Sequence, residues 1–357
     1  MFCPIITGIE GTTLSGEERE LFTRIQPAGY ILFTRNIEDY EQVRELTDEL
    51  RRLTQGGLEP IIAIDQEGGR VVRTGALGVQ LPSAAALAAT RSEHTITRAA
   101  YYTARGLHTL GVNTDLAPVL DFASSRANAL SGRCWGSESQ GVISYAGVWN
   151  RAMRRQDIMT CGKHFPGMGG AAVDPHFGLP SLSGSCADFL AEPAVPFTAL
   201  MPELPSLMLA HLMLPAVDAA LPTSLSPALV RDFLRGQLGY EGVVYTDDLC
   251  MGAITGLYSP AEAAALALRA GCDAPLICHE ACRHLPAAAE ALSKLPEPLL
   301  ADARRRLERY RLLIPTPPPI MRFLEWREYT ADLRAFCAEV PEPTQATLAP
   351  DSPGQQY

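Results

Sequence analysis

The sequence is poor in the features that mark several large classes of protein. No apolar run approaches the ~18 residues of a membrane-spanning helix, so no membrane partner is expected. The first residues, Met1-Phe2-Cys3-Pro4, show no basic region followed by a long apolar stretch. No signal peptide is therefore expected, and the cytoplasm is the default compartment. Positive charge is scarce: 30 Lys and Arg against 40 Asp and Glu give a formal net charge of -10. That balance argues against nucleic acid or an anionic membrane, which are held through basic patches. It leaves room for a locally basic pocket. There is no internal repeat. None of the nine cysteines forms a C-x-x-C pair, and scattered cysteines of odd number fit a reducing compartment. The cluster Cys278, His279, Cys282 and His284 comes from one segment and lacks the second ligand pair that a zinc site wants. No metal is assigned, and no cofactor is required.

What the chain does contain is ordinary globular composition, 47% apolar and 20% charged, over 357 residues. That length suits two domains or one large barrel. Apolar stretches at 5–8, 29–33, 60–65, 112–116, 158–161, 206–210, 242–247 and 272–278 read as strands. Between and after them lie helical patterns. The first starts at the Ser15/Glu18 capping-box signature, and others cover 41–53, 95–110, 142–155, 226–238, 259–271, 282–292 and 299–313. Eight strands alternating with helices predict an α/β fold of the (β/α)8 TIM-barrel type, with a doubly wound sheet as the alternative on periodicity alone. The count of eight decides for the barrel, together with Asp65, Lys163, His164, His211 and Asp247, which fall at or just beyond strand C-terminal ends. Residues 1–314 are read as one catalytic barrel domain. A stiff Pro-rich linker opens 315–340, and an amphipathic helix follows with Phe323, Trp326, Tyr329, Leu333 and Phe336 at helical spacing. That helix is expected to dock on the barrel, less readily to make a dimer contact. The polar, Pro-rich 341–357 is expected to be disordered.

The stretch 161–180, C-G-K-H-F-P-G-M-G-G-A-A-V-D-P-H-F-G-L-P, concentrates the chemistry. A buried strand ends at Gly162 and presents Lys163 and His164. A Pro/Gly-rich loop follows, and Asp174-Pro175-His176 closes it. A strand end and a loop carrying titratable groups suit positioning and proton transfer. Taken singly, Lys163 could be a surface charge, His164 a satisfied core histidine and Asp174-Pro175 a turn.

Eight short motifs in order carry a resemblance. They are I-L-F-T-R-N at 31–36, I-D-Q-E-G-G-R-V at 64–71, A-P-V-L-D at 117–121, R-C-W-G at 133–136, K-H-F-P-G at 163–167, D-P-H at 174–176, A-H-L-M-L-P at 210–215 and Y-T-D-D-L-C-M at 245–251. Each is weak alone. Together they resemble the family 3 glycoside hydrolases, in the single-domain β-N-acetylglucosaminidase (NagZ-type) branch. The resemblance implies a retaining exo-β-N-acetylglucosaminidase that releases terminal N-acetylglucosamine from small β-glycosides such as cell-wall turnover fragments. Asp247 then matches the nucleophile, His176 the acid/base and Asp174 its orienting partner. In the substrate-binding set, Asp65, Arg133, Lys163 and His164 would contact the sugar, with Arg70 and His211, like Asp121, acting more as supports from behind. Asp248 would point the other way from Asp247 if the strand pleat persists. A monomer or weak homodimer is expected. The chain departs from the branch at Met168, Gly170 and Pro175, which puts loop motion and rate in question. Two alternatives are a phosphorylase, with phosphate as second nucleophile, and a sugar-binding homologue with weakened catalysis.

Overall fold

Parallel strands covered on both faces read as near-continuous apolar runs, and here they close a barrel. The structure, a computed structural model, describes residues 2–122, 130–168 and 178–342. The strands are β1 (Cys3–Gly8), β2 (Pro27–Leu32), β3 (Ile61–Ile64), β4 (Thr114–Asp115), β5 (Met159–Phe165), β6 (Ser206–Leu209), β7 (Val243–Asp248) and β8 (Ala274–Ile277). Each pairs in parallel with its chain neighbours, and β1 closes the ring on β8 through Ile6 and Leu276. Asp247 is the one residue of these eight strands that is not buried.

The period of two along each strand sorts side chains between the barrel interior and the helical sheath. Ile6, Ile31, Ala63, Cys161, Met208, Tyr245 and Leu276 meet in one inner cluster. Their neighbours Ile5, Leu32, Ile64, Leu207, Val244 and Ile277 pack outward with the helices. Continued towards the strand C-termini, the same phase places Asp65 two after Ala63, Lys163 two after Cys161 and Asp247 two after Tyr245. Three strands thus deliver charged groups to the inner face of one mouth. From the helix Glu297–Arg311, Leu307 and Tyr310 join the inner cluster, where Tyr310 meets Tyr245 edge-on at 6.5 Å.

The helix Phe323–Glu339 buries Trp326, Tyr329, Leu333 and Phe336. Trp326 stacks on Tyr40 at 4.7 Å, and Tyr329 donates to the Tyr102 carbonyl at 2.9 Å. A Cβ on Gly106 would come within 2.5 Å of the Tyr329 hydroxyl, so glycine permits this approach. Phe323, predicted on the buried stripe, is 61% exposed: it is the first residue of the helix and overhangs the contact.

Other departures from the sequence reading are local. β5 runs on through Phe165 and so contains Lys163 and His164, because Leu120 N–H bonds the Lys163 carbonyl and prolongs the pairing. Residues Gln66–Gly68 and Val71–Val72 form a small antiparallel hairpin over the mouth. The Leu/Ala-rich connection after it contains the helix Ala84–Ala89, and two more short helices cover Cys186–Ala191 and Val195–Leu200. No helix among the described residues is long and apolar enough to cross a membrane.

Candidate active site

β3 delivers Asp65, and the chain then turns straight into the hairpin. Gln66 pins that hairpin: its N–H donates to Asp115 Oδ1 at 3.0 Å, its Nε2 to Thr74 Oγ1 at 2.7 Å, and its Oε1 accepts from Arg73 N–H at 3.1 Å. The turn needs positive φ at Gly68 (92°) and Gly69 (59°), where side chains are strained. Asp65 and Glu67 then share one cation. Lys163 Nζ lies 2.6 Å from Asp65 Oδ1 and 2.6 Å from Glu67 Oε1. Asp65 Oδ2 also faces Arg73 Nη2 at 3.4 Å. Glu67 grips Arg133 as a fork, Nε to Oε2 at 2.7 Å and Nη2 to Oε1 at 2.8 Å.

These groups tune one another. Burial alone would raise the Glu67 carboxyl, but Arg133 and Lys163 outweigh it and hold the group far below the usual carboxylate range. Burial likewise works against Lys163 and Asp65. The carboxylates around Lys163 keep its ammonium charged beyond the ordinary lysine value, and Lys163 and Arg73 hold Asp65 ionised.

His164 stands beside this cluster. Its Nδ1 lies 2.7 Å from Asp121 Oδ2, which also accepts the His164 backbone N–H at 3.1 Å. A carboxylate only accepts, so Nδ1 carries the proton and Nε2 is left as an acceptor, 3.5 Å from Arg133 Nη2. The other oxygen of Asp121 takes the Met168 N–H at 2.6 Å. Buried Asp121 thus fixes both the imidazole and the start of the following loop. Met168 packs into an apolar cluster with Val119, Leu130, Cys134 and Ala210. Asp174 and His176, with Gly170 and Pro175, lie outside the described residues.

On β7, Asp247 Oδ1 accepts the Asp248 N–H at 2.8 Å, and its carboxylate is partly open to the mouth. Asp248 turns away. Its Oδ1 accepts from Cys250 N–H at 3.0 Å and Cys278 N–H at 3.1 Å, and burial pushes its carboxyl up to about 6. His211 is completely buried. Its Nδ1 pairs with Ser224 Oγ at 2.8 Å and its Nε2 with the Asp248 carbonyl at 3.0 Å. Burial lowers its pKa, against the pull of Asp247. Nε2–H therefore donates and Nδ1 accepts, which leaves no ring nitrogen for a sugar: His211 acts through the backbone behind Asp247.

The mouth thus gathers Asp65, Arg133, Lys163 and His164 into one hydrogen-bonded cluster, with Asp247 on β7 and His211, just beyond β6, behind it. Arg70, half-buried, lines a cleft of about 480 Å³ bounded by 69–83, 131–132 and 337–342. Sequence reasoning passed over Glu67 and Arg73. For Glu67 a signal existed: two residues after Asp65 in extended chain, it faces the same way. Arg73 carried none, since it enters through a hairpin that no pattern announced. The Cys278–His284 cluster divides, His279 packing against the Phe33 ring at 5.6 Å while Cys282 and His284 ride the helix Ala281–Ser293. Among the described residues no three His, Cys, Asp or Glu side chains are grouped to hold a metal ion.

A closed eight-stranded barrel with charged groups gathered at its C-terminal mouth is the build of a barrel enzyme. Comparison with known proteins narrows this to a glycoside hydrolase. The glycosyl hydrolase family 3 N-terminal domain matches residues 7–310, and the chain belongs to that family. A β-hexosaminidase of Alkalilimnicola ehrlichii is 35% identical over 339 residues, which cover 93% of this chain and 95% of that protein. NagZ from Neisseria gonorrhoeae, solved in complex with N-trifluoroacetyl-D-glucosamine, superposes with a TM-score of 0.80 at 26% identity, covering 93% of this chain and 97% of that one. A fungal multi-domain family 3 β-N-acetylglucosaminidase with a GCN5-related glucosamine N-acetyltransferase region superposes with a TM-score of 0.87 at 27% identity. There 94% of this chain spans only 42% of the larger protein. The family and fold expected from the motifs are those found.

Proposed function

We propose that the protein is a retaining exo-β-N-acetylglucosaminidase that removes terminal N-acetylglucosamine from β-glycosides, with cell-wall turnover fragments in the cytoplasm as the natural class. The observation that carries the reading is the position of Asp247. It is the one barrel-strand residue that is not buried, and it shares its inner-face phase with Asp65 and Lys163. A related NagZ binding N-trifluoroacetyl-D-glucosamine adds support.

In the first step Asp247 attacks the anomeric carbon as the glycosidic bond breaks, and His176 gives its proton to the leaving oxygen. Asp174 orients and stabilises the imidazole. In the second step His176 takes a proton from water, which displaces Asp247 and frees the sugar. Asp65 accepts from hydroxyls remote from the bond, while Lys163, Arg133 and His164 hold the others and the region of the 2-acetamido group. Water is favoured over phosphate as second nucleophile, because Lys163 and Arg133 already face Asp65 and Glu67 and present a compensated field.

The test is release of nitrophenol from the nitrophenyl β-N-acetylglucosaminide. Wild type is expected to turn over without phosphate, and Asp247→Ala to lose ~10³-fold or more in kcat. A 2-fluoro sugar should label Asp247. Release unaffected by Asp247→Ala, or a label elsewhere, sinks the reading.

A further inference from the structure

We infer that Glu67 is a positioning residue: it sets the spacing between Arg133 and Lys163, and that spacing is what the sugar meets. The inference rests on the substrate-binding reading above. Glu67 itself has a side chain only 3% exposed, and its two oxygens are spent on three bonds to the two cations, so its effect reaches the ligand through them.

Three features make it more than an ordinary ion pair. First, Glu67 comes from a braced segment. Gln66 is held on three sides, and Gly69 N–H donates to the Leu81 carbonyl at 2.8 Å. Second, Arg133 sits on a turn closed by its own N–H to the Leu130 carbonyl at 3.0 Å, and its long side chain finds its direction in the Glu67 fork. Third, Lys163 and Arg133 repel one another within a buried space, and Glu67 is, among the described residues, the anion in contact with both. Without it the two side chains would separate, and His164, whose Nε2 faces Arg133, would lose the neighbour that marks its acceptor edge. A guanidinium and an ammonium held on one carboxylate present donors at a fixed separation, which suits the hydroxyls of a single sugar ring.

Two variants test this. Glu67→Gln removes the charge at constant volume. Glu67→Asp keeps the charge but is one methylene too short to reach both cations, and it serves if the first fails to fold. Calorimetry with N-acetylglucosamine gives Kd independently of turnover, and nitrophenyl β-N-acetylglucosaminide gives kcat and KM. With native circular dichroism, either variant is expected to weaken N-acetylglucosamine binding about tenfold or more and to raise KM in step, with kcat changed less. In an Arg133→Ala background the same substitution should cost clearly less than in the wild-type background, since one of the two partners it acts through is gone and no spacing is left to set. Unchanged Kd in a folded variant, a loss confined to kcat, or equal losses with and without Arg133 overturns the inference. Wild type that does not bind N-acetylglucosamine sinks the substrate reading and this inference together, whereas wild-type binding with unmoved variants sinks this inference alone.

Discussion

Asp115 and Glu67 are both buried carboxyls near Lys163, yet burial ends differently for them. Glu67 has two cations in contact. Asp115 has one bond, from Gln66 N–H to Oδ1, and its Oδ2 has no hydrogen-bond partner among the described residues. Burial therefore raises its pKa well above the ordinary value. A folded-state pKa above the unfolded value of ~3.9 means that ionisation rewards only the unfolded chain, so this group's penalty is absent in acid and grows as pH climbs past about 4. Glu67 has the opposite sign: its stabilisation is present above about 4.3 and is lost as pH falls through its depressed folded value. Asp115→Asn, which mimics the protonated acid, should raise the melting temperature at pH 8 and leave it unchanged near pH 4. Thermal melts at the two pH values decide it, and a lower melting temperature at pH 8 would contradict the assignment. Residues whose chemistry shows in type and spacing were readable from the chain: Asp65, Lys163, His164 and Asp247 stand at the ends of apolar strands. Asp115 was not, because only the packing around a carboxyl says whether it keeps its proton.

Elements were readable in proportion to the length and regularity of their apolar pattern. All eight barrel strands match apolar runs, since strands buried on both faces leave little room for polar residues. The hairpin at 66–72 was hidden by two adjacent glycines that interrupt any alternation, and the helix Ala84–Ala89 by its shortness: six residues hold no full amphipathic period. The helix Phe323–Glu339 lies between these cases, with its stripe correct and its first member wrong. That difference is testable. Trp326 is buried against Tyr40 and Tyr329, so Trp326→Ala should cost ~3–5 kcal/mol. Phe323→Ser, on the same stripe but exposed, should stay within ~0.5 kcal/mol. Urea unfolding of both variants measures the contrast, and equal losses would place the helix differently on the barrel.

At the scale of the molecule, the mouth is assembled from parts far apart in the chain: Lys163 and Asp65 are 98 residues apart, Arg133 and Glu67 66. Barrel closure brings the strand ends together, but the hairpin and the Arg133 turn lie above the strands and need separate support. Ser83 supplies it. It caps the helix Ala84–Ala89 through Ala86 N–H at 3.1 Å, and in the same turn Ala85, two residues after Ser83, donates its N–H to the Gly132 carbonyl beside Arg133 at 3.2 Å. A Cβ on Gly69 would lie 2.6 Å from the Ser83 Cβ, so the hairpin rests on the same residue. Ser83 is held in turn by Glu342, which accepts its N–H at 2.7 Å and its hydroxyl at 2.6 Å from 259 residues away. The segment just beyond the last helix thus buttresses two walls of the site without touching the sugar. Glu342→Ala removes two charge-assisted bonds at a partly exposed place and should cost ~1–2 kcal/mol. Because the hairpin leans on Ser83 and the Arg133 turn on the helix that Ser83 caps, it should also raise KM for the nitrophenyl substrate about two- to fivefold while kcat holds, the pattern of lost uniform binding. A melting-temperature drop with unchanged KM would confine Glu342 to stability; no change in either would remove the buttress.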